Sequence, residues 1–172
     1  ISKNGAEYIK SAINESDNDK FEELRQKLVK YEEISDRIEF EIATFLNEVS
    51  SEEISESTSI KIKAMYKIIG ELESLGDSGE AISRILSRKN INKKKFDNNS
   101  IKNLNAMADA VEQAYNAMIE NLTLAHKGEL VNILNANNAE DRLNTLRNNL
   151  RDEMIENIDN DGKNYHTGVY YI

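Results

Sequence analysis

Residues 21–49 read FEELRQKLVKYEEISDRIEFEIATFLNEV. Within them Phe21, Leu24, Leu28, Tyr31, Ile34, Ile38, Ile42, Phe45 and Val49 follow one another at steps of three or four. A run of such steps over this length puts one apolar stripe on a long amphipathic helix. Asp17 and Asp19 stand just before it, where an acidic side chain caps free backbone N–H groups. Nothing later in the chain argues for another class. Proline is absent and there are only seven glycines, whereas a sandwich or barrel needs a turn about every 8–12 residues. The fold expected is all-α, an antiparallel helical bundle.

The same periodicity marks the remaining helices. After a break at Ser50–Glu53, with a serine three residues before a glutamate as in a capping box, Met65, Ile68, Leu72, Leu75, Ile82 and Leu86 form a second stripe. A basic, asparagine-rich linker, 88–99, precedes a third stripe through Leu104, Met107, Val111, Tyr115, Met118 and Leu122. Asn137–Glu140 is read as the cap of a fourth helix carrying Leu143, Leu146, Leu150, Met154 and Ile158, stopped by Asp159–Gly162. The helices expected are about 18–49, 52–87, 99–122 and 139–159, with a further helical segment over 1–14. Short loops between antiparallel neighbours make a bundle.

Composition excludes several functions. There is no cysteine, hence no disulfide, thiolate zinc site or cysteine nucleophile. His126 and His166 are the only histidines, too few for a metalloprotease motif. A net charge of −9 argues against a nucleic-acid surface. No apolar run exceeds about four residues, so no span and no direct bilayer insertion are expected. No serine or threonine has a matched base and orienting group in the sequence, which argues against an enzyme. The start at Ile1 without methionine and the apolar close at Val169–Ile172 lead us to expect a piece of a longer protein.

The densest pattern is ELESLGDSGEAISR, Glu71–Arg84. At about 100° per residue, Glu73, Asp77 and Glu80 fall within roughly 60° of one another on one face. Like charges at i, i+4 cost a helix about 0.2–0.5 kcal/mol. A hard cation such as Fe, Mn, Mg or Ca, bound through oxygen, would offset that cost. The alternative is a solvated acidic stripe, because Leu72, Leu75, Ile82 and Leu86 lie on the opposite side of the wheel. Gly76 and Gly79 each cost about 1 kcal/mol against alanine, and close helix–helix approach is the usual reason to keep them. Arg84, Arg88, Lys89, Lys93, Lys94 and Lys95 crowd the end of this helix. They suit either an anionic ligand or lipid surface, or the negative end of the helix dipole together with a solvated linker.

The stretch Glu71–Arg84 resembles the acidic helix of PhoU domains, in which a Glu-x-x-x-Asp pair binds metal. Glu73 and Asp77 match the acidic positions, and Gly76 and Ile82 match a glycine and an isoleucine. Asp36–Ile42, DRIEFEI, is similar to the preceding helix of that family. Leu146–Ile158 resembles the corresponding helix of its second half. Ser74 departs from the pattern, standing where arginine is usual, as do Gly79 and Ala81. The resemblance implies tandem three-helix halves, about 15–90 and 97–172, the second incomplete. Asp141-Arg142-Leu143 echoes Asp36-Arg37-Ile38. Asp36 to Glu73 is a step of 37 residues, and 141 + 37 reaches 178, past Ile172, so a second acidic motif is expected outside the sequence. Tyr165–Ile172 is then expected to begin the last helix.

The wording of Tyr66–Gly79 and Asn164–Val169 looks most like the PhoU-like cytoplasmic domain of bacterial Na⁺/phosphate cotransporters. The resemblance therefore implies a non-catalytic regulatory module on the cytoplasmic side of the cell membrane. Its partner would be a transmembrane phosphate-transporter domain in the same parent chain, with a second copy of the chain as a further candidate. Glu73, Asp77 and Glu80 are the candidate metal ligands, with Asp36 and Glu39 from the preceding helix completing the set. A stand-alone PhoU-type regulator of phosphate uptake and a generic helical interaction module are the alternatives.

Overall fold

The computed structural model describes residues 2–15 and 17–160. These form five helices and no strand: α1 (Ser2–Asn14), α2 (Asn18–Ser50), α3 (Glu56–Ile91), α4 (Asn98–His126) and α5 (Leu134–Asn160). The all-α expectation holds, including the short first helix. The expected start of a last helix at Tyr165–Ile172 lies outside the described residues, as do His166 and the Asp161–Gly162 end of the stop after α5. No helix among the described residues is long and apolar enough to cross a membrane.

Capping decides where the helices begin, and it moves two boundaries from the sequence expectation. Asp17 accepts from the N–H groups of Asp19 and Lys20, as anticipated. The break after α2 is not a Ser50–Glu53 capping box. Ser51 closes α2, and it is Ser55, in extended backbone, whose hydroxyl accepts from Thr58 N–H at 3.2 Å and opens α3. Asn137–Glu140 does not cap α5. The Asn132 side chain accepts from Leu134 N–H at 3.0 Å, and Asn137 N–H already bonds Ile133 C=O. At the end of α3 the helix continues past residue 87, with Arg88 and Lys89 in its last turn near the negative end of the dipole. Lys93 then takes a left-handed backbone (φ 53°), and Lys94 N–H reaches back to Lys89 C=O. This is the usual geometry of a helix terminus, though lysine replaces the customary glycine.

Two antiparallel hairpins result, α2–α3 and α4–α5, and α1 is packed on α2, α3 and α4. No Cα of α4 or α5 lies within 8 Å of α2 or α3. The main core forms where the ends meet. Ala12 and Ile13 of α1, Phe21 of α2, Leu86 of α3 and Phe96 of the linker are buried together, with Ile9, Leu24, Ile101 and Leu104 against them. Lys89 is buried here too, 7% exposed, with its ammonium 4.5 Å from the centre of the Phe96 ring. A desolvated cation over a ring face gains from the ring quadrupole.

Polar contacts join α1 to α4 and α4 to α5. Asn14 and Asn105 exchange amide hydrogen bonds at 2.8 and 2.9 Å, and Lys10 pairs with Asp109. Asn99 and Asn103 donate to Glu153, and Asn121 donates to Asn135. α1 meets α2 through stacked Tyr8 and Tyr31 rings, 5.6 Å between centroids.

Gly76 and Gly79 are half-buried where helices meet, but neither is sterically obligatory. A Cβ at Gly76 would lie 3.5 Å from Ser35 Cβ and Oγ, and one at Gly79 would lie 3.7 Å from Ile9 Cδ1. Both are ordinary contacts, so a methyl fits at either position. Gly79→Ala is expected to stabilise by about 0.5–1 kcal/mol through helix propensity. Gly79→Leu is expected to destabilise by about 1–3 kcal/mol through crowding of Ile9. Urea denaturation of the two variants measures both, and a neutral leucine variant would remove the packing role of this position.

Candidate functional site

The α2–α3 register is set by a few contacts. The Tyr66 hydroxyl donates to Ala43 C=O at 3.0 Å and to Asn47 Oδ1 at 2.7 Å, and further along Gly76 lies against Ser35. Because the helices are antiparallel, each step forward on α3 is a step back on α2. Acidic residues at the same intervals, 32-36-39 on α2 and 73-77-80 on α3, are thereby turned toward one another.

Carboxylate oxygens of Glu32, Asp36 and Asp77 all lie within 4.8 Å of one another. One turn away, Glu73 feels both Asp77 and Glu39. At the other side Glu80 acts on Glu32, but its own carboxylate is engaged by Arg84 at 3.0 Å. Of the sequence candidates, then, Asp36 and Asp77 are brought together. Glu73 and Glu39 form a neighbouring pair beside Asp77, and Glu80 is tied to a guanidinium. Glu32 was not among the candidates. Its interval of four from Asp36 and seven from Glu39 mirrors the α3 pattern, and that was the available clue.

The face assignment needs correcting. The wheel suggested that the carboxylates face solvent and that Leu72, Leu75, Ile82 and Leu86 face inward. It holds for Asp77, which is exposed, and for Leu72 and Leu86, which are half-buried and buried, but Glu73 and Glu80 are half-buried, while Leu75 and Ile82 are 40% and 41% exposed. α2 packs on the side of α3 that carries Tyr66, Glu73 and Gly76, because Gly76 and Ser35 allow the backbones to approach there. The apolar stripe is left largely on another side, and only Leu86 reaches the main core.

Electrostatics follow from this packing. Burial, then the carboxylates of Asp77 and Glu39, push the Glu73 carboxyl above the ordinary range. Burial, then Asp36, Glu80 and Asp77, do the same to Glu32. Desolvation and like charge both disfavour the ionised form. The basic cluster does not complete this site as a group. Arg84 pairs with Glu80, Lys89 is buried in the main core with its ammonium pushed down by desolvation, and Arg88 and Lys93–Lys95 are exposed. His126 is exposed in the last turn of α4.

Three carboxylate oxygens within 4.8 Å suit a hard cation. Two ligands on opposite sides of an ion, at about 2.1–2.4 Å each, are separated by about 4.2–4.8 Å. The donor chemistry also fits, since oxygen-only sets favour Mg, Ca, Mn or iron over zinc or copper. Three carboxylates leave part of a six-coordinate shell to water.

Comparison of the chain with protein-family models, with curated proteins and with solved structures returned no match.

Raised carboxyl pKa values carry a definite sign. Between the ordinary carboxylate value of 4.5 and the raised one, the folded chain binds more protons than the unfolded chain. Stability therefore falls as pH rises through that window and is regained on acidification. Glu73→Gln removes a like charge and is expected to raise the melting temperature at pH 7 by roughly 1–2 °C. The gain should shrink toward pH 4.5, where Glu73 of the parent protein takes up its own proton. Thermal melts of both proteins at the two pH values check this; no gain at pH 7 would show that the crowding is relieved by solvent.

Proposed function

We propose that the chain is a PhoU-like regulatory domain, non-catalytic, which binds a hard metal cation on the cytoplasmic side of a membrane phosphate transporter. One observation carries the reading. Two of the segments that resemble the PhoU pattern, Asp36–Ile42 and Glu71–Arg84, lie on helices that pack against each other, α2 and α3, and Asp36 and Asp77 approach each other with Glu32 between the same helices. Carboxylates on two adjacent helices can be drawn together by one cation, so binding would clamp α2 to α3.

In this reading Glu32, Asp36 and Asp77 hold the ion, and Glu73 and Glu39 add negative charge beside it. Transport itself belongs to membrane helices elsewhere in the parent protein, and this domain senses or modulates. The coding sequence upstream of Ile1 separates a transporter-linked domain from a stand-alone regulator. The first continues into apolar segments of about 20 residues, and the second does not.

The cation is tested by calorimetric titration of metal-free protein with Mn²⁺, Fe³⁺ and Mg²⁺, alongside Glu32→Gln/Asp77→Asn. Binding of order 10⁻⁴ M is expected for a small, partly hydrated carboxylate site. The double variant should lose at least tenfold. Equal binding by the two proteins would sink the site and return these residues to a solvated acidic seam.

A further inference from the structure

The turn that ends α3 carries charge opposite in sign to that of the chain as a whole. Residues 81–96 contain six lysines and arginines and no carboxylate, in a chain of net charge −9. Two of the six are engaged inside the fold. Arg84 pairs with Glu80, and Lys89 is buried over Phe96. Arg88, Lys93, Lys94 and Lys95 are exposed, and none of them forms an ion pair among the described residues.

The backbone holds these four together. Asn92 caps α3, and the N–H groups of Lys93 and Lys94 return to Asn90 and Lys89 C=O at 2.9 and 3.0 Å. Lys93 is left-handed between them, φ 53°, a conformation that glycine takes freely and lysine does not. The dipole of α3 accounts for Arg88, which stands in the last helical turn. Its influence fades within that turn, so it accounts for neither Lys95 nor the choice of lysine over glycine at 93. Carboxylates at this end of the bundle have partners of their own. Asp17 and Asp97 accept from the first N–H groups of α2 and α4, and Asp19 lies in the first turn of α2. Glu22 pairs with Arg25, and Glu153 takes the amides of Asn99 and Asn103.

Ile91 is 75% exposed between Arg88 and Lys93, and it narrows the choice of anion. A nucleic-acid strand calls for an exposed aromatic on which its bases stack. Phe96 is the only aromatic between Tyr66 and Tyr115, and it is buried. A bilayer containing anionic lipid accepts both features, phosphates for the cations and an apolar boundary beneath them for the isoleucine. The acidic seam does not forbid this approach. At about 1.5 Å per residue Asp77 lies roughly 20 Å along α3 from Ile91. The Debye length in physiological salt is about 8 Å, so repulsion across that distance is largely screened.

We propose that the turn Arg88–Lys95 docks on an anionic lipid surface. Arg88, Lys93, Lys94 and Lys95 meet headgroup phosphates, and Ile91 rests in the interface, with no helix crossing the bilayer. The proposal rests on neither the cation site nor the transporter reading.

The probe is a vesicle of about one part phosphatidylglycerol to two of phosphatidylcholine, with pure phosphatidylcholine as the neutral control. Co-sedimentation of the full chain is expected to show at least tenfold stronger partitioning to the anionic vesicles, weakened by salt. Each basic residue at such a surface multiplies partitioning by roughly five. Lys93→Gln/Lys94→Gln/Lys95→Gln should therefore weaken it at least thirtyfold. Lys61→Gln/Lys63→Gln/Lys67→Gln removes the same charge from exposed positions toward the other end of α3 and should weaken it less than threefold. Ile91→Ser should weaken vesicle partitioning at least threefold. Lys93→Gly should raise the melting temperature while weakening partitioning about fivefold, a split that a purely structural lysine would not give. Circular dichroism confirms unchanged helix content in each variant. Equal losses in the two triple variants would reduce the effect to net charge and overturn the proposal. So would unchanged partitioning of Ile91→Ser, or tighter binding of a single-stranded oligonucleotide than of the anionic vesicles.

Discussion

Everything in the arrangement depends on α1. It is thirteen residues long, yet among the described residues it is the only helix packed on both hairpins. Ala12 and Ile13 supply the centre of the main core, and Ile9 covers Gly79. An isolated helix of this length is marginal in water, so α1 owes its structure to the burial it completes. The dependence runs both ways. Without it, α2–α3 and α4–α5 would share little beyond the 92–97 linker and the packing of Phe96. Asn14–Asn105 and Lys10–Asp109 fix its rotation relative to α4. They are exposed contacts, worth little in energy but specific in geometry.

Much of this was legible in the sequence, and the misses have a common cause. Helix existence and type followed from apolar steps of three and four, which report a periodic backbone directly. Boundaries moved because several serines and asparagines could each serve as a cap. Ser50, Ser51 and Ser55 offer equivalent hydroxyls, and only the backbone around Ser55 points one at a free N–H. The face of α3 was misread for a different reason. A helical wheel ranks sides by hydrophobicity, but the side chosen by α2 was the one with Gly76, where backbones approach. The apolar stripe was real, though most of it did not become core.

The same reasoning explains why the candidate site was half visible. The interval pattern on α3 singled out Glu73, Asp77 and Glu80, and the resemblance added Asp36 and Glu39. What the sequence alone did not contain was the α2–α3 register, which sets Asp36 rather than Glu39 beside Asp77 and adds Glu32. Nor could it show that Arg84 would take Glu80. The register of two antiparallel helices is fixed by side-chain packing along the whole hairpin, from Tyr66 on Asn47 to Gly76 on Ser35.

Glu39 ties the two surfaces together. It lines the apolar cleft between α2, α3 and α4, and it is also one of the charges that disfavour ionisation of Glu73. A cation held by Asp36 and Asp77 would lower the negative potential felt by both glutamates. A proton on Glu73 would in turn weaken the attraction for that cation, and by linkage the effect must be equal in both directions. Like-charge clustering at the seam thus makes metal and proton competitors for one pool of negative charge. They would do so without touching a common atom, and salt would weaken their coupling because the groups lie near solvent.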